Sequence, residues 1–195
     1  MQKTKMQRVL FFLGISRENM STKTLVRVAM LTAIAILLKS YGSLETGIWR
    51  LSFYEIPLVM LGTFFGPIPA FIGGLSTDFG YIMSRGWMYG INYFTITTVL
   101  WAFVPAMLLY KRKYTVTRLV IVVAFTSLLG FTFNTLGLVQ FFGTTQLVVF
   151  SDGVVGPMLP RIVTALLKLP VQVYIVNVLV TRLHMAFEDL ELVTE

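Results

Sequence analysis

The chain has 195 residues, of which 56% are hydrophobic and only 13% charged, well below the roughly 25% charged residues of an ordinary soluble domain. So little polar surface cannot cover so much apolar mass in water, which excludes a soluble globule and points to a chain solvated by a lipid bilayer. The net charge of +7 sits in short segments between apolar runs, which argues for the loops of a membrane protein and against nucleic acid as a partner.

In chain order, residues 1–22 read as a cytoplasmic segment. Its one apolar run, Val9 to Ile15, is short and leads into Ser16, Arg17, Glu18 and Asn19, which suits an amphipathic stretch on the membrane surface better than a signal peptide. A first span is expected from Thr24 to Leu38, with Arg27 and Lys39 snorkelling at its two ends. A polar and aromatic loop with Tyr41, Trp49 and Arg50 precedes a second span, Phe53 to Phe65. The Gly66-Pro67-Ile68-Pro69 turn leads to a third span, Ala70 to Ser84, rich in small residues. A second aromatic loop, Arg85 to Tyr93, opens onto the fourth span, Phe94 to Tyr110, which ends in Lys111-Arg112-Lys113. The fifth span covers Leu119 to Phe142. Gly143 to Gly156 is mixed, and reads as a loop or a short strand-like cap around Leu147 to Phe150. The sixth span runs from Pro157 to Val180, and residues 183–195 form a cytoplasmic tail.

The expected architecture is therefore an all-α integral membrane protein, a single domain of six transmembrane helices. With the N-terminus inside, eleven of the 16 basic residues fall in inside segments, which places both termini in the cytoplasm. No internal repeat is visible, so the inverted-repeat plan of many transporters has no support.

Charges at membrane depth are candidate functional residues. Arg161 and Lys168 are seven residues apart, two helical turns, and share one face of the sixth span. Two cations without a neighbouring acid on their own helix suit an anionic ligand with more than one carboxylate. Pairing with Glu45, Glu55 or Asp78, or snorkelling, is the bland alternative. Asp78 lies mid-span and must be paired or hydrogen-bonded; a structural partnership with a basic residue is favoured over reading a heterocycle. The outer loops carry Tyr41, Trp49, Tyr54, Trp87, Tyr89 and Tyr93 interleaved with Arg50, Arg85 and Asn92. Interfacial belts account for part of this set; the rest can stack on a flat ring. Ala29 and Ala33 form a small-xxx-small pattern on the first span, a face open to close helix approach. There is no phosphate loop for ATP and no Ser-His-Asp, HExxH or paired-His set. Neither the single His184 nor the absent cysteines supply a metal or disulfide site. The chain is read as neither an enzyme nor a cofactor carrier, and more as a binding subunit than a complete pump.

The run Arg50-Leu51-Ser52-Phe53-Tyr54-Glu55-Ile56-Pro57, with Gly62, Gly66-Pro67, Gly73-Gly74 and Asp78-Phe79-Gly80, resembles the substrate-binding S components of energy-coupling factor (ECF) vitamin transporters. Ala29 to Ala33 is similar to their helix-one AxxxA motif. The late Leu159-Pro160-Arg161 and Leu169-Pro170 look most like the folate-specific branch. The resemblance covers nearly the whole chain. It implies a subunit of the bacterial plasma membrane that captures a vitamin outside. Such a subunit works with a transmembrane coupling subunit of the EcfT type and, through it, two cytoplasmic ATPases. Ala29 and Ala33 would contact the coupling subunit, and the first outer loop would close over the ligand. For folate, Trp49, Arg50, Tyr54, Trp87 and Tyr89 are expected near the pocket mouth, and Asn92, Asn134, Arg161 and Lys168 deeper. Alternatives are an S component for another anionic vitamin such as pantothenate, a stand-alone small membrane transporter, and a membrane-embedded enzyme or assembly factor. Pantothenate would leave the aromatic loops unexplained, and an enzyme would need a convergent acid, base or nucleophile set.

Overall fold

A computed structural model describes residues 22–45, 50–85, 90–151 and 154–192. The N-terminal segment read as amphipathic lies outside them. Among the described residues there are six α-helices: α1 Thr22–Ser40, α2 Glu55–Phe65, α3 Pro67–Ser84, α4 Tyr93–Leu109, α5 Val116–Phe142 and α6 Met158–Leu192. Two short antiparallel ladders lie in the connections. Leu44–Glu45 (β1) pairs with Arg50–Leu51 (β2), and Phe150–Ser151 (β3) pairs with Val154–Val155 (β4).

Local chemistry sets the helix ends. Gly66 takes φ +90 between α2 and α3, a conformation that only glycine adopts without strain. Pro67 then occupies the first position of α3, where its missing N–H costs nothing. Asn92 caps α4: its side-chain oxygen accepts from the Phe94 N–H at 2.8 Å, and Thr95 Oγ1 accepts from the Asn92 N–H, a reciprocal cap. Pro105 and Pro170 sit inside α4 and α6 without ending them. In a bundle, neighbouring groups can satisfy the carbonyls such prolines free.

The core lies along α2. Leu58, Val59 and Leu61 are buried there, with Trp101, Ala102 and Ala106 of α4 and Leu119 and Val123 of α5. Gly62 lets α2 and α4 touch backbone to backbone, since a Cβ there would lie 2.2 Å from the Ala102 carbonyl oxygen. Gly74 does the same between α3 and α4, with the Val99 Cα 3.0 Å from a Cβ position. Small residues that permit such approach are the usual means of packing helices in lipid, where apolar burial against lipid gains little. The periphery stays apolar: Leu25, Met30 and Leu37 on α1, Ile121 and Leu128 on α5, and Leu166, Leu167 and Tyr174 on α6 are all exposed. Two helical stretches, Val116–Phe142 and Met158–Arg182, are long and apolar enough by themselves to cross a membrane. The 11 residues of α2 reach only about 16 Å, and that helix is buried within the bundle.

Three expectations change. Lys39 does not snorkel; it is 4% exposed, drawn inward by a carboxylate on α3. The sixth helix runs past the expected end of its span at Val180, to Leu192, because no Gly or Pro follows Pro170 to stop it. The cap expected around Leu147 to Phe150 begins later: Thr144–Leu147 is a 3₁₀ turn, and pairing starts at Phe150. On the connection between α4 and α5, the Tyr114 hydroxyl donates to Asn177 Oδ1 at 2.8 Å, tying α6 to that end. Burial holds this hydroxyl above its ordinary pKa.

Candidate functional site

A cavity of about 660 Å³ opens at one end of the bundle, within the size range of ligand pockets. All six helices supply it from that end: Lys39 from α1, Glu55 from α2, Asp78 to Ile82 from α3, Phe94 to Trp101 from α4, Ser127 to Phe142 from α5, and Arg161 to Gln172 from α6. Its walls carry several aromatic rings, Phe94, Trp101, Phe131, Phe141 and Phe142 among them. Phe94 and Phe141 stack at 6.3 Å between centroids and 10° between planes.

The charges are arranged in two pairs with a surplus. Lys39 pairs with Asp78, and both are nearly inaccessible. Lys39 Nζ also donates to Thr98 Oγ1 at 2.5 Å and lies 5.0 Å from the Tyr54 and Tyr81 ring centroids. The Thr95 hydroxyl donates to the second Asp78 oxygen. The carboxylate anticipated at membrane depth is thus satisfied on both oxygens, in the structural role favoured from sequence. Lys168 Nζ donates to Glu55 Oε1 at 2.5 Å. Arg161 donates from Nη2 to Thr135 Oγ1 at 3.0 Å, and its guanidinium lies 5.4 Å from the Phe131 ring centroid. No acid pairs with Arg161 among the described residues. The lining holds four cations, Lys39, Arg85, Arg161 and Lys168, and two carboxylates, Glu55 and Asp78. The cavity is therefore electropositive and favours an anion.

Three buried polar atoms among the described residues have no hydrogen-bond partner: Glu55 Oε2, Arg161 Nη1 and Gln172 Nε2. All three residues line this cavity. Buried polar atoms are nearly always paired in folded proteins, so such a cluster calls for an explanation at the site.

Of the site residues expected from sequence, Tyr54, Asn92, Asn134, Arg161 and Lys168 line the one cavity. Asn92 is engaged in capping α4, and its amide nitrogen donates to the Gly90 carbonyl at 3.3 Å. Asn134 faces the cavity half-buried. Arg50 lies in β2, two residues before the cavity-lining Ser52. Trp49, Trp87 and Tyr89 lie outside the described residues. Ala29 and Ala33 are exposed on α1. Sequence reasoning did not single out Gln172 or Trp101, and treated Glu55 only as a counter-ion. Gln172 follows Lys168 by four residues, so its place on the same helical face was a usable signal.

A family model described as the ECF transporter, substrate-specific component matches residues 23–180, most of the chain. The chain belongs to this family. Its membrane location and its role as the substrate-specific component of a transporter follow from that membership. The chain is also similar to the "Folate transporter FolT" of Clostridium novyi (strain NT), with 29% identity over 128 residues, 65% of this chain and 74% of the relative. Its fold is similar to that in a crystal structure of FolT bound with folic acid. There the TM-score is 0.71 at 21% identity, over 82% of this chain and 93% of the other. The helical bundle of this S component is thus the FolT fold, and at that identity the likeness speaks to the fold alone.

Proposed function

We propose that this S component captures folate outside the bacterial plasma membrane and delivers it inward through an EcfT-type coupling subunit energised by two cytoplasmic ATPases. The observation that carries the cargo is Arg161. Among the described residues its guanidinium has no acid partner and its Nη1 is unpartnered, and it lines an electropositive cavity that carries aromatic rings. Folate joins flat rings to a tail with two carboxylates. Arg161 and Asn134 would hold the tail, and Tyr54 and the phenylalanines would flank the rings. Trp49, Arg50, Trp87 and Tyr89 would cover the mouth. The relative named as a folate transporter supports the same cargo.

Orientation rests on the basic loop. Lys111, Arg112 and Lys113 lie between α4 and α5, and Arg118 in the first turn of α5, at the end opposite the cavity. The positive-inside rule puts that end, and both termini of the six-span bundle, in the cytoplasm. The cavity then opens outside. Ala29 and Ala33 would meet the coupling subunit.

The test is equilibrium titration of the purified protein with folate, pantothenate, riboflavin and thiamine. Folate should bind most tightly, and Arg161→Met should weaken it more than tenfold. Clear binding of another vitamin without folate would overturn the cargo and leave the family assignment standing.

A further inference from the structure

We infer that Glu55 and Gln172 form the floor of the cavity as a reader of ring edges: an acceptor and a donor that together recognise a flat heterocycle carrying both N–H groups and a ring acceptor. Lys168 is then a positioning residue that holds Glu55, and the anionic part of the ligand lies towards Arg161. This deepens the folate reading and rests on it.

The argument starts from one carboxylate used on one side only. Glu55 is 5% exposed. Its Oε1 accepts from Lys168, and its Oε2 is buried without a partner. Gln172 is 2% exposed, and its Nε2 has no acceptor. Gln172 stands one turn beyond Lys168 on the same face of α6, so the ion pair brings Glu55 beside it. Both residues, with Trp101, also border a second, small void closed by Ile56, Val59, Val123 and Val176 and too tight to hold a water molecule. The floor thus offers one orphan acceptor, one orphan donor and a flat indole wall.

Charge decides which ligand group can go there. A carboxylate at the floor would meet the free oxygen of Glu55 and be repelled. A cationic ligand would meet the surplus of Lys and Arg in the lining. A neutral ring edge with N–H groups aimed at Glu55 Oε2, and a carbonyl or ring nitrogen aimed at Gln172 Nε2, satisfies both orphans without adding charge. The 2-amino-4-oxo edge of a pterin has this pattern. The third orphan, Arg161 Nη1, lies eleven residues before Gln172 on α6, about 16 Å along a helix axis. Arg161 is half-buried and nearer the open end. The two ends of the cavity therefore sort an elongated ligand, ring first and carboxylates last.

The experiment splits folate into its parts. Wild-type protein, Glu55→Gln, the charge-balanced pair Glu55→Met with Lys168→Met, and Arg161→Met are titrated with folate, with 6-hydroxymethylpterin and with 4-aminobenzoyl-glutamate. In Glu55→Gln the new amide keeps its oxygen for Lys168 and turns an NH₂ towards the ring N–H groups. It should lose at least tenfold for the pterin and under twofold for the tail fragment, and retained tail binding reports a folded cavity. The charge-balanced pair should show the same preference, and Arg161→Met should reverse it. If wild type and Glu55→Gln bind the pterin equally, the inference fails alone. It also fails if both Glu55 variants lose the two fragments to the same degree, the mark of a pair that only holds the cavity open. Wild-type protein that binds no folate removes the proposed cargo, and this inference with it.

Discussion

Lys39 ties α1 to α3 and α4 through a buried ion pair and a hydrogen bond. It lies one residue from the end of α1, is buried, and is shared between Asp78 of α3, Thr98 of α4 and the faces of Tyr54 and Tyr81. Truncating one member of a buried ion pair strands the other charge, which costs on the order of 3–5 kcal/mol. Lys39→Met should therefore lower the melting temperature in detergent sharply. Adding Asp78→Asn should recover most of the loss, because Thr95 and Thr98 can still serve the amide. A double variant no more stable than the single one would show that the pair is not the source of the effect. Hydropathy and spacing were enough to mark Asp78 as a buried carboxylate in need of a basic partner. They could not name Lys39, which is 39 residues away in sequence and reads on its own as a snorkelling helix end. Glu55 posed the same difficulty. It was recognisable as one of three acids that could answer Lys168, but its free oxygen appears only once α2 and α6 are side by side.

At the level of elements, the six helices were legible because each is an apolar run closed by turn chemistry: Gly66-Pro67, Asn92, Lys111 to Lys113, Gly143. Where boundaries moved, the signal was weak or tertiary. Nothing after Pro170 stops α6, and the polar character of residues 183–195 does not by itself end a helix. What the runs could not convey is which glycines are contacts. Gly62 is one, since a side chain there would strike the Ala102 carbonyl and the Ala106 amide, both backbone atoms that cannot rotate away. Gly80 is a useful contrast, because the atoms nearest a Cβ there all belong to the flexible Ile36 side chain. Gly62→Val should force α2 and α4 apart at a cost of about 1–3 kcal/mol or more, and Gly80→Ala should cost less. Because Tyr54 and Glu55 enter the cavity from the start of α2, Gly62→Val should also weaken ligand binding. Thermal melts and titrations on both variants measure this; equal losses at the two sites would contradict the backbone-contact account.

Across the whole molecule, the cavity and the small-residue face of α1 are separate surfaces. The cavity gathers residues from all six helices at one end. Ala29 and Ala33 lie outward on α1, four residues apart, among exposed Leu25, Val26, Met30 and Leu37. Large side chains at these two alanines would displace no internal neighbour, so the fold and the cavity should be indifferent to them. Another helix approaching in the membrane would not be, because close approach depends on small residues at the contact. If α1 is the surface through which the coupling subunit acts, Ala29→Trp with Ala33→Trp separates capture from delivery. On the proposed function, folate affinity in detergent should stay within about twofold of wild type, since such lipid-facing changes lie away from any feature that carries large stability effects. Co-purification with the proposed coupling subunit and ATPases should be lost, and with it ATP-driven uptake into proteoliposomes. Intact assembly and uptake would show that α1 faces only lipid. Loss of binding in detergent would show that the two surfaces are mechanically one.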